Sequence, residues 1–290
     1  MNPCFFIFGF GYTAQALTHK LIAQGFHVIG TSRSPEKQKQ NHLNLKLIDF
    51  DLVEIERHLN LATHLLISIP PAKAFGDPVL NHCADLIKNQ APYLQWIGYL
   101  SSTGVYGNHE GKWVDEESEC IPHTPTGITR WQAEKDWLSL ARQHQLPLHV
   151  FRLSGIYGPG RNALERLMQG QKQSIFKENQ VFSRIHVDDI VSTLLASMKQ
   201  PHPLAIYNVS DDEPASAHDV MLYAAKLLHK EPPLLIPFAK AQLSPMEKEF
   251  YANSRRVANL KIKTQLHVIL QYKNYKEGLN QIWQDDFSLR

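Results

Sequence analysis

Short apolar runs alternate with amphipathic segments through the first half of this 290-residue chain. The apolar runs predict strands, and the segments with apolar residues at helical spacing predict helices. The predicted strands are Cys4–Phe8, His27–Thr31, Leu45–Ile48, His64–Ile69, Leu94–Leu100 and Leu148–Leu153, and the predicted helices are Ala14–Gln24, Pro78–Asn89 and Thr129–His144. This alternation predicts an α/β fold with a doubly wound parallel sheet that is covered by helices on both faces.

The pattern loosens after residue 160. Short helical segments at Ala163–Gln169 and Asp189–Met198 mix with loops that contain proline. We therefore expect a first domain over residues 1–160, with strands continuing to about residue 210, and a small, mixed C-terminal substrate lobe over residues 161–290.

Composition and charge exclude several classes of protein. Hydrophobic residues make up 43% of the chain, which is enough for a substantial core, and the formal net charge of +2 gives no electrostatic case for binding nucleic acid or a membrane. No uncharged apolar stretch is long enough to span a bilayer. The three cysteines, Cys4, Cys83 and Cys120, are odd in number and not paired in spacing, so we expect a cytoplasmic protein with neither a disulfide framework nor a metal site.

A glycine-rich turn follows the first strand and opens the first helix. It reads Gly9-x-Gly11-x-x-Ala14, with Tyr12 and Thr13 between the second glycine and the alanine. Gly9 permits the tight turn, Gly11 lets a pyrophosphate approach the backbone, and Ala14 lets the helix pack on the strand. The helix N-terminus presents N–H groups and partial positive charge to phosphates. In this context the motif predicts a Rossmann-type dinucleotide site, and an ordinary strand-to-helix turn is the alternative.

The end of the second strand bears on which dinucleotide binds. It reads Thr31-Ser32-Arg33-Ser34 and holds no carboxylate for the ribose 2′-hydroxyl of NAD. Arg33 offers a planar cation for a 2′-phosphate, with the hydroxyls of Ser32 and Thr31 as donors. The sequence therefore favours NADP over NAD, the alternative being a solvated surface arginine.

Four further motifs follow in order along the chain. They are Leu100–Gly107 (LSSTGVYG), Phe151–Gly160 (FRLSGIYGPG), Arg184–Ile190 (RIHVDDI) and Tyr207–Val209 (YNV). With the glycine turn, this series resembles the extended short-chain dehydrogenase/reductase superfamily, the NAD(P)-dependent sugar-nucleotide epimerases and dehydratases, from about residue 4 to about residue 210. The resemblance implies an NAD(P)-binding oxidoreductase, epimerase or dehydratase with a polar small-molecule substrate such as a nucleotide sugar.

The resemblance also implies roles for individual residues. Those expected to contact the cofactor are Asp51 and Leu52 at the adenine, Ser68, Ile69 and Pro70 at the ribose and pyrophosphate, Ser101 after the fifth strand, and Leu153, Gly155 and Ile156 near the nicotinamide. Ser102 occupies the family's catalytic serine/threonine position, and Ser102 and Thr103 are expected to contact substrate. His186, Asp188 and Asp189 match a turn where the substrate lobe begins, and we favour a helix-capping role for them.

One departure from the family pattern concerns the acid/base. The family reads Pro-Tyr-Gly-x-Ser-Lys, whereas this chain reads Pro125-Thr126-Gly127-Ile128-Thr129-Arg130, so Thr126 stands for the tyrosine and Arg130 for the lysine. Arg130 can still bind the cofactor ribose, but a threonine hydroxyl cannot exchange a proton as a phenol does. Other candidates for this task are Tyr106 beside Ser102, Tyr157, His109 and His123, with packing as the alternative for the tyrosines.

Arginines near the C-terminus are candidate substrate ligands. Arg255 and Arg256 could grip a phosphate or carboxylate, the alternative being a solvated helix start. Trp131, Trp137, Leu138 and Leu140 on the long helix could serve a homodimer interface or the core.

Two functions remain open from the sequence. The first is an NADP-dependent enzyme, in which Ser102 binds the substrate oxygen. The second is an NADP-binding sensor or scaffold protein without turnover, which the missing tyrosine makes a serious competitor.

Overall fold

The computed structural model describes residues 3–37 and 42–287. The strands are β1 (Cys4–Phe8), β2 (His27–Thr31), β3 (Leu45–Ile48), β4 (Ala62–Ile67), β5 (Trp96–Ser102), β6 (Trp113–Val114), β7 (Leu148–Leu153), β8 (Gly155–Tyr157), β9 (Gln173–Phe176), β10 (Arg184–His186), β11 (Ile206–Val209), β12 (Leu234–Pro237) and β13 (Arg256–Val257). The α-helices are α1 (Tyr12–Ala23), α2 (Leu52–Leu59), α3 (Pro78–Gln90), α4 (Pro125–His144), α5 (Ala163–Met168), α6 (Val187–Lys199), α7 (Ala217–Leu227), α8 (Pro245–Tyr251), α9 (Leu260–Gln265) and α10 (Tyr275–Asp286).

Seven strands form one sheet in the order β11-β7-β5-β4-β1-β2-β3. β1 pairs in parallel with β2 and β4, and the parallel pairing continues from β2 to β3 and from β4 to β5. In this register Ile7 lies between Gly30 and Leu66. The chain winds outward from β1 in both directions, so the predicted fold class, an α/β Rossmann-type doubly wound sheet, is confirmed.

Both faces of the central strand β1 are buried, as its unbroken apolar sequence predicts. Phe6 and Phe8 pack on one face with buried residues of α2, α3 and α4. Phe5 faces the other way, where its ring lies 5.8 Å from that of Trp96, and the Trp96 indole donates to Ser197 Oγ of α6 at 3.1 Å. The strand ends are thus fixed in place by packing on both sides.

Several element boundaries differ from those predicted. α1 begins at Tyr12 instead of Ala14, and β4 ends at Ile67 instead of Ile69. α4 begins at Pro125, four residues before the predicted start. Proline is favoured in the first helical turn, and Thr124 Oγ1 accepts the N–H of Gly127 at 3.3 Å as an N-cap does. Thr126 therefore lies in the first turn of a helix.

The chain divides into two compact units, each made of three stretches. Unit 1 comprises Met1–Ser102, Ile128–Arg152 and Leu194–Tyr207 and holds most of the seven-stranded sheet. Unit 2 comprises Thr103–Gly127, Leu153–Thr193 and Asn208–Arg290. The single boundary predicted near residue 160 differs from this division, because the chain enters each unit three times.

Unit 2 has its own sheets and its own apolar core. Three two-stranded parallel sheets pair β8 with β10, β9 with β12 and β6 with β13. The core lies among α5, α7 and α10, where Leu164, Met221 and Leu279 are buried. Among the helices of the described ranges, none combines the length and the apolar character needed to cross a membrane.

Candidate functional site

The glycine turn after β1 has a geometry that only glycine allows at its first position. Gly9 has φ +94°, and a Cβ added there would lie 2.7 Å from Ile69 Cγ1. The Gly9 N–H donates to Thr31 Oγ1 at 2.9 Å, and the Phe10 N–H donates to the Thr31 carbonyl at 2.8 Å. Thr31 is only 2% exposed and fixes this turn. Its hydroxyl accepts the Gly9 N–H, and its predicted donation to a 2′-phosphate stays a prediction.

The N-terminus of α1 is open to a ligand. Gly11 is the N-cap, no side chain of the described residues caps the helix, and the first turn holds no acidic residue. A Cβ added at Gly11 would meet nothing within 4 Å. Tyr12, Thr13 and Ala14 form the first turn, and the last two are buried against the sheet. Open space before the positive end of a twelve-residue helix fits a pyrophosphate.

The predicted ribose and adenine ligands follow β2, β3 and β4. Arg33 is exposed and Ser32 is half-buried, with Ser32 Oγ accepting the Ser34 N–H at 3.2 Å. Asp51 caps α2 by accepting the N–H groups of Val53 and Glu54, both at 3.1 Å, and Leu52 is 46% exposed. These positions remain predicted ligands, placed after the carboxyl ends of the strands where such folds bind them.

The segment that follows β4 packs against the glycine turn at Gly9. Ser68 continues the strand pairing by donating its N–H to the Phe8 carbonyl at 2.8 Å. Ile69 is half-buried against Gly9 and Pro70 is exposed. Ser68 and Ile69 lie beside Gly9, and the ribose and pyrophosphate contacts of Ser68, Ile69 and Pro70 stay predictions.

A buried ion pair lies beneath the end of β5. Glu134 of α4 and Arg152 of β7 are 0% and 2% exposed, and Arg152 Nη2 donates to Glu134 Oε1 at 2.6 Å. Ser101 Oγ donates to Glu134 Oε2 at 2.6 Å. Ser101 was predicted as a cofactor ligand, but its hydroxyl donates its proton to the carboxylate of this ion pair. Sequence reasoning missed both charges, although an arginine inside an apolar strand sequence was a usable signal.

Ser102 and Thr103 stand where β5 ends. Ser102 is half-buried as the last residue of the strand, and Thr103 is buried at the start of the 3₁₀ turn Thr103–Tyr106. The predicted catalytic and substrate contacts of Ser102, and the substrate contact of Thr103, stay predictions.

Arg130 reaches the end of the same strand from α4. Its Nη1 donates to the Leu100 carbonyl at 2.9 Å. Burial raises the pKa of Asp77, which caps α3 and accepts the Trp137 indole N–H at 3.0 Å, and the Arg130 charge partly offsets that rise. Arg130 thereby ties α4 to β5, and its predicted contact with a cofactor ribose stays a prediction.

Of the four alternative proton donors, the two tyrosines are buried. Tyr106 is fully buried and its hydroxyl donates to Asn208 Oδ1 at 2.7 Å, so the structure corrects its prediction as a catalytic residue: the ring is packed inside. Tyr157 is buried too, and its hydroxyl donates to the Asn274 carbonyl at 3.3 Å. His109 Nε2 lies 3.1 Å from the Tyr106 carbonyl, and His123 is exposed.

Thr126, in contrast, has an acidic partner that sequence reasoning missed. Thr126 is exposed in the first turn of α4, and its hydroxyl donates to Glu249 Oε2 of α8 at 2.5 Å. The two residues are 123 positions apart, so no local sequence signal links them.

The two C-terminal arginines hold the loop that follows Tyr106. Arg255 Nη1 donates to the Gly107 carbonyl at 2.8 Å, and Arg256 donates to the Gly111 carbonyl. Burial lowers the pKa of Arg255 to about 10, which leaves it charged at neutral pH. Arg256 belongs to strand β13, so the alternative of a solvated helix start is wrong. Their substrate contacts stay predictions.

The segment after β7 leads into β8. Leu153 is buried, whereas Gly155 is exposed and Ile156 is half-buried. The Gly155 N–H donates to the Ser183 carbonyl at 3.1 Å, and a Cβ there would lie 3.3 Å from the same oxygen. A glycine thus suits the β8–β10 pairing at this point, and the nicotinamide contact of the segment stays a prediction.

The turn before α6 caps its helix through His186, as expected, but not through Asp189. His186 Nδ1 lies 3.2 Å from the Asp188 N–H at the helix start. Asp189 accepts the backbone N–H groups of Gln271 at 2.7 Å and Tyr272 at 3.1 Å. Asp189 therefore anchors a distant segment instead of capping its own helix.

On the long helix, Trp137 and Leu138 belong to the core, whereas Trp131 and Leu140 are half-buried. Across the described part of the chain, no group of three or more His, Cys, Asp or Glu side chains is arranged to hold a metal ion.

Comparison with known proteins agrees with this geometry. Residues 87–210 match the model of the NAD dependent epimerase/dehydratase family. The human dTDP-D-glucose 4,6-dehydratase is 25% identical over 181 residues, which cover 58% of this chain and 51% of the relative. The chain thus matches about half the length of that curated relative.

Solved structures cover nearly the whole chain. A functionally unknown conserved protein from Silicibacter pomeroyi DSS is 44% identical with a TM-score of 0.91, over 99% of this chain and all of the other. The dTDP-glucose 4,6-dehydratase from Bacillus anthracis str. Ames, solved in complex with NAD, has a TM-score of 0.78 at 16% identity, over 98% of this chain and 97% of the other. Residues 87–210 therefore match the NAD dependent epimerase/dehydratase family, and the chain as a whole shares the fold of that dehydratase.

Proposed function

We propose that this protein is an NADP-dependent epimerase, dehydratase or reductase that acts on a nucleotide sugar. The observation that carries the proposal is the glycine turn, in which Thr31 holds Gly9 so that the uncapped start of α1 faces open space. A nicotinamide dinucleotide placed there supplies a hydride acceptor or donor. The nucleotide-sugar class is supported by relatives such as the dTDP-D-glucose dehydratases.

The preference for NADP rests on charge. Arg33 is exposed directly after β2, and no carboxylate stands among residues 31–34. A guanidinium binds a 2′-phosphate in a bidentate manner, whereas NAD offers only a hydroxyl there.

Fluorescence titration with NADPH and NADH tests the cofactor preference. We expect Arg33→Ala to weaken NADPH binding about tenfold or more and to leave NADH binding nearly unchanged, the loss expected for one charge-assisted contact. Arg142→Ala, at an exposed arginine in the last turn of α4, is the matched control. Equal affinities for the two cofactors in the wild type would refute the preference.

Turnover needs a second measurement, because epimerases and dehydratases return the hydride and leave no net change in nicotinamide absorbance. Products formed from a panel of nucleotide sugars should therefore be followed by NMR. The second candidate, a sensor or scaffold that binds NADP without turnover, is favoured by Thr126 in place of tyrosine and by the burial of Tyr106 and Tyr157. Tight NADP binding with no product from any sugar supports that candidate.

We further propose a cytoplasmic homodimer. The location is supported by the small, odd number of cysteines, three in 290 residues. Because Trp137 and Leu138 are core residues, any pairing through α4 falls to half-buried residues such as Trp131 and Leu140. Light scattering after size-exclusion chromatography tests the assembly.

A further inference from the structure

Gly30 occupies a position in β2 where the backbone does not require glycine. It is the fourth residue of that strand and pairs with Ile7 of β1 and Leu47 of β3. Its φ is not positive, so any residue could adopt its backbone conformation. Glycine inside a strand weakens the strand, and it often marks the close approach of another group. The lack of a side chain at residue 30 is therefore explained by what packs there.

Phe10 fills the space that a side chain at residue 30 would need. A Cβ added to Gly30 would lie 2.6 Å from Phe10 Cδ2 and 3.2 Å from Leu47 Cδ2, and the first distance is shorter than carbon atoms in proteins allow. Phe10 is 4% exposed, so its neighbours leave the ring little room to move. Gly30 thus provides the space in which the ring is held, which we call the Phe10 socket.

The ring in this socket is joined to the backbone of the glycine turn. Phe10 lies between Gly9 and Gly11, and Gly11 is the N-cap of α1. The Phe10 N–H donates to the Thr31 carbonyl at 2.8 Å, and the Gly11 N–H donates to the Gly9 carbonyl at 3.0 Å. A phenyl ring is rigid, so a ring that leaves the socket either adopts a strained rotamer or moves its own Cα. Movement of that Cα shifts Gly11 and the open start of α1.

We propose that Phe10 is a positioning residue, whose ring in the socket on Gly30 holds the glycine turn in place for the pyrophosphate of a dinucleotide. This inference rests on the proposed function. Because Phe10 is buried, its ring offers almost no surface to a ligand, and its effect on binding passes through the backbone of the turn. β2 ends two residues before Arg33, so one strand positions both the turn and the proposed 2′-phosphate ligand.

Gly30→Ala tests the proposal by placing a methyl group in the socket. We expect the dissociation constants of NADPH and NADH, measured by fluorescence titration, each to rise about tenfold, because overpacking displaces the ring and the turn with it. The two increases should agree within about threefold, since the pyrophosphate is common to both dinucleotides. Arg33→Ala, in contrast, is expected to weaken NADPH binding and not NADH binding.

A Phe10→Ala background shows whether the methyl group acts through the ring. Phe10→Ala alone should weaken the binding of both dinucleotides, because the turn loses the packing that holds it. Adding Gly30→Ala to this variant should change either dissociation constant by less than about twofold, since no ring remains to be displaced. A folded Phe10→Ala protein with no measurable binding supports the positioning role directly.

Gly98→Ala is the matched control within the same sheet. Gly98 lies in β5, which β4 separates from β1, and a Cβ added there would overlap the buried Trp96 ring. The variant therefore introduces a similar clash with an aromatic ring on a strand that does not lead into the glycine turn. Thermal unfolding followed by circular dichroism should show a loss of stability, whereas both dissociation constants should stay within about twofold of the wild type.

The outcomes separate this inference from the proposed function. A wild type that binds NADPH while Gly30→Ala keeps the dissociation constants within about twofold overturns the inference alone. It is also overturned if Gly30→Ala has the same effect with and without the Phe10 ring, or if Phe10→Ala binds as the wild type does. Equal weakening by Gly98→Ala shows general destabilisation and overturns it as well. A wild type that binds neither dinucleotide overturns the proposed function, and the inference falls with it.

Discussion

The buried pair between Arg152 and Glu134 allows a quantitative test of how unit 1 is held together. Arg152→Met removes the guanidinium, whose Nε lies 3.1 and 3.3 Å from the two Glu134 oxygens and whose Nη2 lies 2.6 Å from Oε1. Among the described residues Glu134 would keep only Ser101 as a hydrogen-bond donor, and it is 0% exposed. Stranding one buried charge costs about 3–5 kcal/mol of unfolding free energy.

Urea unfolding followed by tryptophan fluorescence measures this loss. Arg57→Met is the control, because the Arg57–Glu54 pair has a similar N–O distance of 2.8 Å but its side chains are 65% and 34% exposed. An exposed pair contributes less than about 1 kcal/mol.

A double variant shows whether stranded charge is the cause. Arg152→Met combined with Glu134→Leu removes both charges and should be more stable than Arg152→Met alone. A deficit of about 1–3 kcal/mol should remain, because the buried Ser101 hydroxyl loses its acceptor. The reasoning is refuted if the single variant costs less than about 1 kcal/mol, or if the double variant is less stable than the single one.

Two further predictions concern the glycine turn and a buried acid. Gly9→Ala should weaken dinucleotide binding about tenfold or more, because the added Cβ would lie 2.7 Å from Ile69 Cγ1 at a residue with φ +94°. The control is Gly25→Ala, at φ +85° with open space around it, which should leave the affinity unchanged. Equal effects of the two variants would contradict the steric argument. Burial raises the pKa of Asp189 to about 6 from 3.8, so the folded protein binds this proton more tightly than the unfolded chain does. The protonated Asp189 therefore stabilises the fold below about pH 4, and this stabilisation is lost as the pH rises through 6. Relative to Asp189→Asn, the wild type should therefore lose up to about 3 kcal/mol of unfolding free energy between pH 4 and pH 7, and a difference independent of pH would contradict the assignment.

Local signals predicted much of the fold and the position of the glycine turn. The strands β1 to β5 and β7 were found because their apolar runs are short and bounded, and Gly9 and Gly11 because the turn chemistry is contained in six residues. The start of α4 was misplaced by four residues, although Thr124 and Pro125 together are a visible start signal.

The parts of the site that sequence reasoning missed depend on distant packing. Thr126 donates a hydrogen bond to Glu249, which is 123 positions away in the sequence, and Tyr106 donates one to Asn208, which is 102 positions away. Neither partner has a periodicity or a spacing that marks it, because the contact exists only once unit 2 has folded. The same holds for Asp189, whose acceptor role is set by Gln271 and Tyr272.

The repeated passage of the chain between its two units restricts how such proteins can exchange parts. Swapping unit 2 for that of a relative requires five junctions, after residues 102, 127, 152, 193 and 207. A single genetic crossover near residue 160 would instead combine Thr103–Gly127 of one parent with α8 and β13 of the other. The Thr126–Glu249 and Arg255–Gly107 contacts would then join residues of different ancestry. New substrate ranges in this architecture should therefore arise by point substitution more readily than by recombination.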